Sequence, residues 1–289
     1  MVKQSKNILI PNPKRLAKLK SAFAQAGAKK IHVLADFDKT LTKAFVNGKK
    51  IPSLISVLRD EKYLTPNYAE KAYALYHKYH QMENNPRLSM AKKKRAMHDW
   101  WTAHFKLLIK SGLNKKDIAR AVKSKNIQLR TSGAKFFKLL KYHKIPLVIM
   151  SASGLGNESI DLYLKKIKNH SGNIQIISNS FIWDQNGRAI GFNKPIIHSA
   201  NKDEAEIKNF SKIMETIKHK KNVLLLGDQL SDLDMITGFK YDHLIKIGFY
   251  NYKQKNNLAQ FRKKYDIIIL GDSSLDYVNC LLKEITVNP

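Results

Sequence analysis

The stretch Ile31-His32-Val33-Leu34-Ala35-Asp36-Phe37-Asp38-Lys39-Thr40 decides the fold, because a short apolar run there leads straight into two carboxylates. Five more apolar runs follow later in the chain, each separated from the next by an amphipathic stretch, at residues 144–150, 173–177, 222–226, 244–247 and 266–270. Such alternation predicts a parallel sheet with helices on both faces. We therefore expect an α/β fold in which residues 31–35 form a buried strand.

A different pattern fills residues 52–130, where helical spacing replaces the strand-like runs. Apolar and aromatic residues recur every three or four positions over 68–82 and 90–109, as in amphipathic helices. An insertion directly after the 36–40 loop can fold over the carboxyl ends of the strands, where ligands bind in open α/β sheets. We predict a catalytic core of residues 1–45 and 131–289 and a helical cap of residues 46–130.

Three local features add to this outline. Pro13 predicts the start of a helix that ends near Gly27. Asp184-Gln185-Asn186-Gly187 predicts a β-hairpin attached to the sheet, because Asn-Gly favours the positive φ angles of a tight turn. The single cysteine, Cys280, is expected in the core, since free cysteine is among the most buried residue types.

The chain is strongly basic, with 52 Lys plus Arg against 23 Asp plus Glu in 289 residues and a formal net charge of +29. A field of that sign attracts anions from a distance. Phosphorylated substrates, nucleic acid, anionic lipid surfaces and acidic proteins are all compatible with it, and so is general use of lysine as a solvated residue. We expect contact with anionic surfaces through the lysine-rich faces.

Nothing in the sequence predicts a membrane or export segment. The apolar runs are far shorter than the roughly 20 residues that a transmembrane helix needs. Near the N-terminus, basic residues surround only Ile8-Leu9-Ile10, and no small-residue cleavage site follows. We expect a cytoplasmic protein without a transmembrane segment or an ordinary signal peptide, although a non-standard secretion signal would leave no such trace.

Asp36 and Asp38 lie where an apolar strand ends, so both can approach one point after the chain turns. A divalent cation held by carboxylate oxygens would place a phosphate beside Asp36 and reduce the repulsion between the anions. Asp36 could then attack phosphorus to form an aspartyl-phosphate, while Asp38 protonates the leaving alkoxide and later activates water. Taken alone, the pair is also compatible with an acidic turn or a helix cap.

Three further elements follow later strands or lie close to them. Met150-Ser151-Ala152-Ser153-Gly154 precedes a predicted helix, where hydroxyls and backbone N–H groups bind phosphate oxygens or simply cap the helix. Lys202 could neutralise charge that develops during phosphoryl transfer, although lysines are common here. Asp228 can complete an oxygen-ligand set for Mg²⁺, and Asp232 could orient Lys202 or a ligated water. The order of the four elements predicts a phosphate and Mg²⁺ site.

This set resembles the haloacid dehalogenase (HAD) superfamily, with its Asp-x-Asp-x-Thr loop, a Ser or Thr, a Lys and a Gly-Asp-x-x-x-Asp loop on successive strands. Within it, the chain is similar to the cytosolic pyrimidine 5′-nucleotidases, which hydrolyse UMP and CMP and carry a helical cap between the first two motifs. The resemblance covers about residues 30–280 and rests on matches at 35–42, 97–101, 151–152, 184–187, 191–192, 197–202 and 226–228. It implies a Rossmann-like core of parallel sheet flanked by helices.

The resemblance also implies roles for the matching residues. In the metal site, Asp36 would be nucleophile and ligand, Asp38 general acid and base and a ligand through its carbonyl, and Asp228 the third ligand of Mg²⁺. Thr40 and Lys202 would complete the catalytic set. The phosphate would be held by Ser151, Ala152 and Lys202. Asp99 and Trp100 would contact the nucleoside.

Three departures from the family pattern concern substrate choice. Asp99-Trp100-Trp101 stands where the family has Glu-Trp-Tyr, and Asp for Glu shortens the reach by one methylene. Ser153 replaces a usual Gly, and the charge of +29 is not shared by the family. These differences leave the predicted chemistry in place and leave the substrate open.

We therefore expect an enzyme, a Mg²⁺-dependent phosphoric monoester hydrolase, with a pyrimidine nucleoside 5′-monophosphate as its first candidate substrate. One alternative keeps the phosphatase chemistry but acts on a phosphosugar, a phosphoinositide or a phosphoprotein. The other is a basic anion-binding module without catalysis, which rests on lysine clusters such as residues 92–95.

Overall fold

The computed structural model describes residues 6–50, 53–85, 87–202, 211–237, 240–251 and 257–286. Its strands are β1 (Ile8–Leu9), β2 (Ile31–Ala35), β3 (Phe45–Val46), β4 (Lys49–Lys50), β5 (Leu147–Ser151), β6 (Ile174–Ser178), β7 (Phe181–Trp183), β8 (Ala189–Phe192), β9 (Asn222–Gly227), β10 (His243–Tyr250) and β11 (Ile267–Leu270). Its α-helices are α1 (Pro13–Ala26), α2 (Leu54–Asp60), α3 (Pro66–Asn84), α4 (Met90–Lys110), α5 (Lys115–Lys123), α6 (Gly133–Tyr142), α7 (Gly156–Lys166), α8 (Ser211–Ile217), α9 (Leu258–Lys264) and α10 (Asp276–Thr286). Among these residues, no helix meets the length and apolarity needed to cross a membrane.

Seven strands form one sheet in the order β1-β11-β10-β9-β2-β5-β6. Neighbours are parallel except at the edge, where β1 runs antiparallel to β11. In the middle of the sheet Leu34 of β2 is paired with Leu225 of β9 and Val148 of β5. The predicted α/β fold is confirmed, and the six predicted strands are the six parallel ones.

Both faces of this sheet are buried. Alternate side chains of β9 join two different apolar clusters, with Leu224 and Leu226 in one and Val223 and Leu225 in the other. Helices α1, α6 and α10 supply Phe23, Phe136 and Leu281 to the first cluster. Helices α8 and α9 contribute Ile217 and Phe261 to the second. A strand that is apolar on both faces reads as a continuous run, which is why the sequence revealed these strands.

Helices α2 to α5 lie between β2 and β5 in the chain, as the helical pattern of 52–130 predicted. Helices α3 and α4 pack side by side through Tyr68 and His104, whose hydroxyl and Nε2 are 3.0 Å apart. The two chain segments that lead into and out of this insertion run together, with Thr42 bridged to Leu129. The division into a core of 1–45 and 131–289 and a cap of 46–130 stays a prediction.

Two local expectations were wrong, and one strand was not predicted. The 184–187 turn does join two strands, but β7 and β8 form a separate two-stranded sheet, because Phe181 and Phe192 pack on Phe105 of α4. Residues 8–9 form the edge strand β1, too short for its pattern to reveal. Cys280 is exposed, since the buried face of α10 carries positions 278, 281, 282 and 285.

Candidate active site

The site is built where three neighbouring strands end. Asp36 directly follows β2, Ser151 is the last residue of β5, and Asp228 follows β9. Because β9, β2 and β5 are adjacent and parallel, their carboxyl ends bring these three side chains to one edge of the sheet. The backbone N–H of Asp36 donates to the carbonyl of Leu226 at 3.0 Å, which fixes the start of the loop against β9.

The loop after Asp36 makes a sharp turn. Asp38 has φ −69° and ψ 125°, and Lys39 has φ 61° and ψ 5°, the dihedral pattern of a type II turn over residues 37–40. The second central position of such a turn favours glycine, yet it is occupied here by lysine. The hydroxyl of Thr42 accepts a hydrogen bond of 2.9 Å from the Lys39 N–H and helps to hold this turn.

Lys202 joins the two acidic loops. Its ammonium donates to Asp36 Oδ1 at 2.6 Å and to Asp232 Oδ1 at 2.7 Å, and all three side chains are buried. The other oxygen of Asp232 accepts from the backbone N–H groups of Asp228 and Gln229, both at 2.9 Å. Asp232 therefore holds Lys202 with one oxygen and shapes the Asp228 loop with the other.

Gly227 is required by this packing. A Cβ at position 227 would lie 2.4 Å from the Cβ of Asp232, a distance that van der Waals radii forbid. The Gly-Asp pair at the end of β9 thus lets the 229–232 segment fold back against the strand.

Burial dominates the electrostatics of the site. Burial raises the pKa of Asp36, while the nearby Lys202 ammonium lowers it and offsets part of this effect. It also raises the pKa of Asp38 and, together with the charges of Asp232 and Asp36, that of Asp228. Burial alone would lower the pKa of Lys202, but its two carboxylate partners outweigh this and raise it, so the lysine is a cation.

The donor chemistry fits a hard divalent cation. Carboxylate oxygens of Asp36, Asp228 and Asp232 lie within 4.8 Å of one another. Both oxygens of Asp232 already accept hydrogen bonds from Lys202 and the backbone, so Asp36 and Asp228 are the carboxylates better suited to bind a metal. An all-oxygen donor set of this kind suits Mg²⁺.

A cavity of about 550 Å³ contains this cluster and extends to the cap. The predicted site residues that line it are Asp36, Asp38, Trp100, Ser151, Ala152, Lys202 and Asp228. Thr40 is fully buried and does not line it, and its hydroxyl has no hydrogen-bond partner within the described part of the chain. Ser153 lines the cavity, while its hydroxyl lies 3.1 Å from that of Ser159.

Helices α3 and α4 supply an aromatic wall to the same cavity. Trp100 and Trp101 lie with ring centroids 5.8 Å apart and planes inclined by 18°, and Tyr76 lies 6.1 Å from Trp100. The core approaches this wall closely at Gly154, where a Cβ would lie 2.8 Å from the Trp101 ring. A hydrogen bond of 2.6 Å from the Ser199 hydroxyl to Glu83 also joins α3 to the segment that leads to Lys202.

Asp99 is exposed on α4 and does not line the cavity. Helical periodicity explains this, because Met97, Trp101 and His104 turn towards the interior while positions 98 and 99 turn towards solvent. The predicted nucleoside contact of Asp99 thus gains no geometric support, whereas that of Trp100 does.

Sequence reasoning missed two carboxylates and two aromatic residues of the cap wall. Glu83, Asp60, Tyr73 and Tyr76 all line the cavity. The rings of Tyr73 and Tyr76 lie three residues apart on α3, a spacing that the helical pattern did contain. That pattern assigned them to an amphipathic helix but could not tell which of its sides faces the core.

A family model described as "Pyrimidine 5'-nucleotidase (UMPH-1)" matches residues 39–286. The chain belongs to this pyrimidine 5′-nucleotidase family. The human 7-methylguanosine phosphate-specific 5′-nucleotidase is 33% identical over 279 residues, which are 96% of this chain and 92% of the relative. A Xenopus laevis relative of the same name, form A, is 33% identical over 91% of this chain and 90% of its own length.

Solved structures agree with this placement. Cytosolic 5′-nucleotidase IIIB, in its structure bound to cytidine, superposes with a TM-score of 0.89 at 26% identity, covering 98% of this chain and 94% of that one. A substrate-bound phosphoserine phosphatase matches in fold alone, with a TM-score of 0.53 at 17% identity over 86% of this chain and 96% of that one. This pyrimidine 5′-nucleotidase family member is thus a phosphoric monoester hydrolase with a HAD-like fold, as the sequence predicted.

Proposed function

We propose that the chain hydrolyses nucleoside 5′-monophosphates with Mg²⁺ as metal and Asp36 as nucleophile. The convergence of Asp36, Lys202 and Asp228 on one cavity with an aromatic wall supports this most directly. Similarity to a 7-methylguanosine phosphate-specific 5′-nucleotidase and to cytosolic 5′-nucleotidase IIIB supports a nucleotide as the phosphate ester.

Asp36 and Asp228 would hold Mg²⁺ through carboxylate oxygens, and Asp38 through its backbone carbonyl. The bound ion would supply positive charge beside the phosphate and so reduce its repulsion from the Asp36 nucleophile. Lys202, already paired with Asp36, would neutralise charge on the phosphate oxygens, and Ser151 and Ala152 would bind those oxygens at the end of β5.

In the first step an Asp36 oxygen attacks phosphorus, the bond from phosphorus to the 5′ oxygen breaks, and Asp38 gives a proton to the departing alkoxide. In the second, Asp38 takes a proton from water while the water oxygen attacks phosphorus and the bond to Asp36 breaks. Nucleoside and inorganic phosphate leave, with Asp36 restored as a carboxylate and Asp38 as the protonated acid. Burial raises the pKa of Asp38, which favours the protonated acid needed in the first step.

The cap decides which base is accepted, and two classes have support. Pyrimidine monophosphates are the substrates expected from the family. A second candidate, 7-methylguanosine 5′-monophosphate, is favoured by a cavity whose lining includes the carboxylates of Asp60 and Glu83 as well as the rings of Tyr76 and Trp100. Its methylated base carries a positive charge, and aromatic faces together with carboxylates bind cationic groups.

A substrate panel with Mg²⁺ tests the proposal. CMP, UMP, 7-methylguanosine 5′-monophosphate and GMP would be compared with glucose 6-phosphate, an inositol phosphate and a phosphopeptide. We expect phosphate release from at least one of the first three and the slowest turnover among the non-nucleotides. Faster turnover of a non-nucleotide would assign the phosphatase to that other substrate.

Asp36→Asn separates catalysis from simple anion binding. The amide is nearly isosteric but is a poor nucleophile, so turnover should fall at least about 1,000-fold, the scale on which loss of a covalent nucleophile is felt. Salt-sensitive binding of a polyanion through surface lysines should be unchanged. Full activity in Asp36→Asn would exclude the mechanism, and wild-type protein without any phosphatase activity would leave the anion-binding module.

A further inference from the structure

Arg130 lies behind the 37–40 turn and is one of the largest fully buried side chains of the protein, at 1% exposure. An arginine side chain has five N–H donors, and here the acceptors number five as well. They are Thr40 O at 2.7 Å, Ser273 O at 2.9 Å, Asp272 Oδ1 at 3.1 Å, Asn251 Oδ1 at 3.1 Å and Lys39 O. The guanidinium also lies over the Phe249 ring at 4.3 Å.

Two of these acceptors are consecutive carbonyls of the catalytic loop. The Lys39 carbonyl receives one hydrogen bond from Arg130 Nη2 and a second, of 2.9 Å, from Asn251 Nδ2. The Thr40 carbonyl accepts a hydrogen bond from Arg130 Nε. With both carbonyls held from behind, the peptide planes that follow Lys39 have one orientation.

That orientation bears on Asp38. Lys39 has φ 61°, a left-handed conformation that a lysine adopts rarely and that needs support from its surroundings. In a type II turn the peptide between the two central residues, here Asp38 and Lys39, is reversed relative to a type I turn. If Lys39 relaxed to negative φ, this peptide would rotate and carry the Asp38 carbonyl with it.

The same guanidinium ties the loop to the start of the insertion. Asp272, its ion-pair partner, also accepts the backbone N–H groups of Ala44 at 2.8 Å and Phe45 at 3.0 Å. The backbone N–H of Arg130 donates to Leu41 O at 2.9 Å. Arg130 is thus positioned to hold residues 39–41 of the loop directly and, through Asp272, the segment that follows it.

We propose that Arg130 and Asn251 are positioning residues, which hold Lys39 in its left-handed conformation and so present the Asp38 carbonyl and carboxylate to the Asp36 and Asp228 side. Neither residue touches substrate in this role. The inference rests on the proposed function of the same site. A lysine could replace the charge of Arg130 but not its planar fork, which binds two carbonyls at once.

The test compares Asn251→Ala and Arg130→Lys with the control Arg15→Lys, which changes a half-exposed arginine. Arg15 donates to the buried Asp266 carboxylate at 3.0 Å just before β11, at the opposite end of the sheet. Three readouts are taken on folded protein: amide hydrogen exchange of residues 37–42 without metal, kcat and KM for para-nitrophenyl phosphate, and the Mg²⁺ concentration that gives half-maximal rate.

We expect Asn251→Ala and Arg130→Lys to speed amide exchange of residues 37–42 about tenfold and to lower kcat about tenfold. Each tenfold change corresponds to a free-energy difference of about 1.4 kcal/mol. KM should stay within about twofold of the wild-type value, and the Mg²⁺ concentration that gives half-maximal rate should rise. Arg15→Lys should change none of these. Wild-type exchange and kcat in folded Asn251→Ala, or an equal loss in Arg15→Lys, would overturn the proposal.

A second experiment keeps the test valid where Arg130→Lys does not fold. Glycine adopts positive φ without strain, so Asn251→Ala should lower kcat less than threefold when it is made in a Lys39→Gly background. An undiminished effect of Asn251→Ala in that background would overturn the proposal. If the wild-type protein hydrolyses no ester, the proposed function fails, and the exchange measurement still decides whether Arg130 and Asn251 hold the loop.

Discussion

Replacing Asp228 by Asn should stabilise the metal-free protein while it abolishes hydrolysis. Carboxylate oxygens of Asp36, Asp228 and Asp232 lie within 4.8 Å of one another, and the Lys202 ammonium is bound to Asp36 and Asp232. Burial and the two neighbouring carboxylates raise the pKa of Asp228 well above its usual value. A partly buried carboxylate next to two others opposes folding until a cation binds to it.

The size of the effect follows from these distances. Two unit charges at the 4.8 Å separation of the cluster repel by about 3.5 kcal/mol at an effective dielectric constant of about 20. Lys202 and partial protonation offset much of this, so we expect the metal-free variant to gain about 1–3 kcal/mol. For a chain of this size each kcal/mol changes the Tm by about 2 °C, which gives a Tm about 2–6 °C higher.

The stability gain from Asp228→Asn depends on pH. Because the pKa of Asp228 is raised in the folded state, the unfolded chain releases this proton first, and the folded state loses stability as pH rises above about 4, the ordinary value. The gain from Asn should therefore be full near neutral pH and should vanish at pH values near 4. A gain that is independent of pH would point to packing instead.

Thermal unfolding in EDTA and in MgCl₂ checks the prediction. Mg²⁺ should raise the Tm of the wild-type protein by mass action and should leave Asp228→Asn nearly unchanged. The control is Asp242→Asn, because Asp242 is 58% exposed and its carboxylate lies 3.9 Å from the Lys221 ammonium. An exposed ion pair of this kind contributes little to stability. A lower Tm for Asp228→Asn than for wild type in EDTA, or equal Mg²⁺ shifts in both, would refute the reasoning.

Three further predictions follow from the site and the core. Asp232→Asn should lower kcat about 10- to 100-fold, because Lys202 loses a charge-assisted hydrogen bond that contributes about 1.5–3 kcal/mol; an unchanged kcat would contradict its role in holding Lys202. Trp100→Ala should raise KM for nucleotides at least about tenfold and leave para-nitrophenyl phosphate hydrolysis nearly unaffected, with Trp100→Phe in between; equal loss for both esters would mean that Trp100 acts through the fold. Burial lowers the pKa of His32 and His104 to about 4, so between pH 7 and pH 5 the unfolded chain takes up protons that the folded chain does not, and urea unfolding should show a loss of about 2 kcal/mol per histidine; a His104→Gln variant with the wild-type pH dependence would exclude His104.

The sequence by itself determined the α/β fold, the buried strands and the acidic loops that follow β2 and β9. These features are local, because a strand buried on both faces needs a continuous apolar run and a parallel sheet brings strand ends to one edge. Asp36, Ser151 and Asp228 were predictable for this reason. Asn251, which follows β10 in the same way, was open to the same argument and was missed.

Tertiary structure alone decided contacts that no local pattern encodes. Lys202 is one lysine among many until the fold places it against Asp36 and Asp232. Arg130 is distinguished by five acceptors drawn from three distant segments. Asp99 and Trp100 are neighbours in sequence, but a helix turns by about 100° per residue, and only packing decides which of the two faces the cavity. The sequence therefore determines which groups the strand ends offer, and packing decides which of them meet.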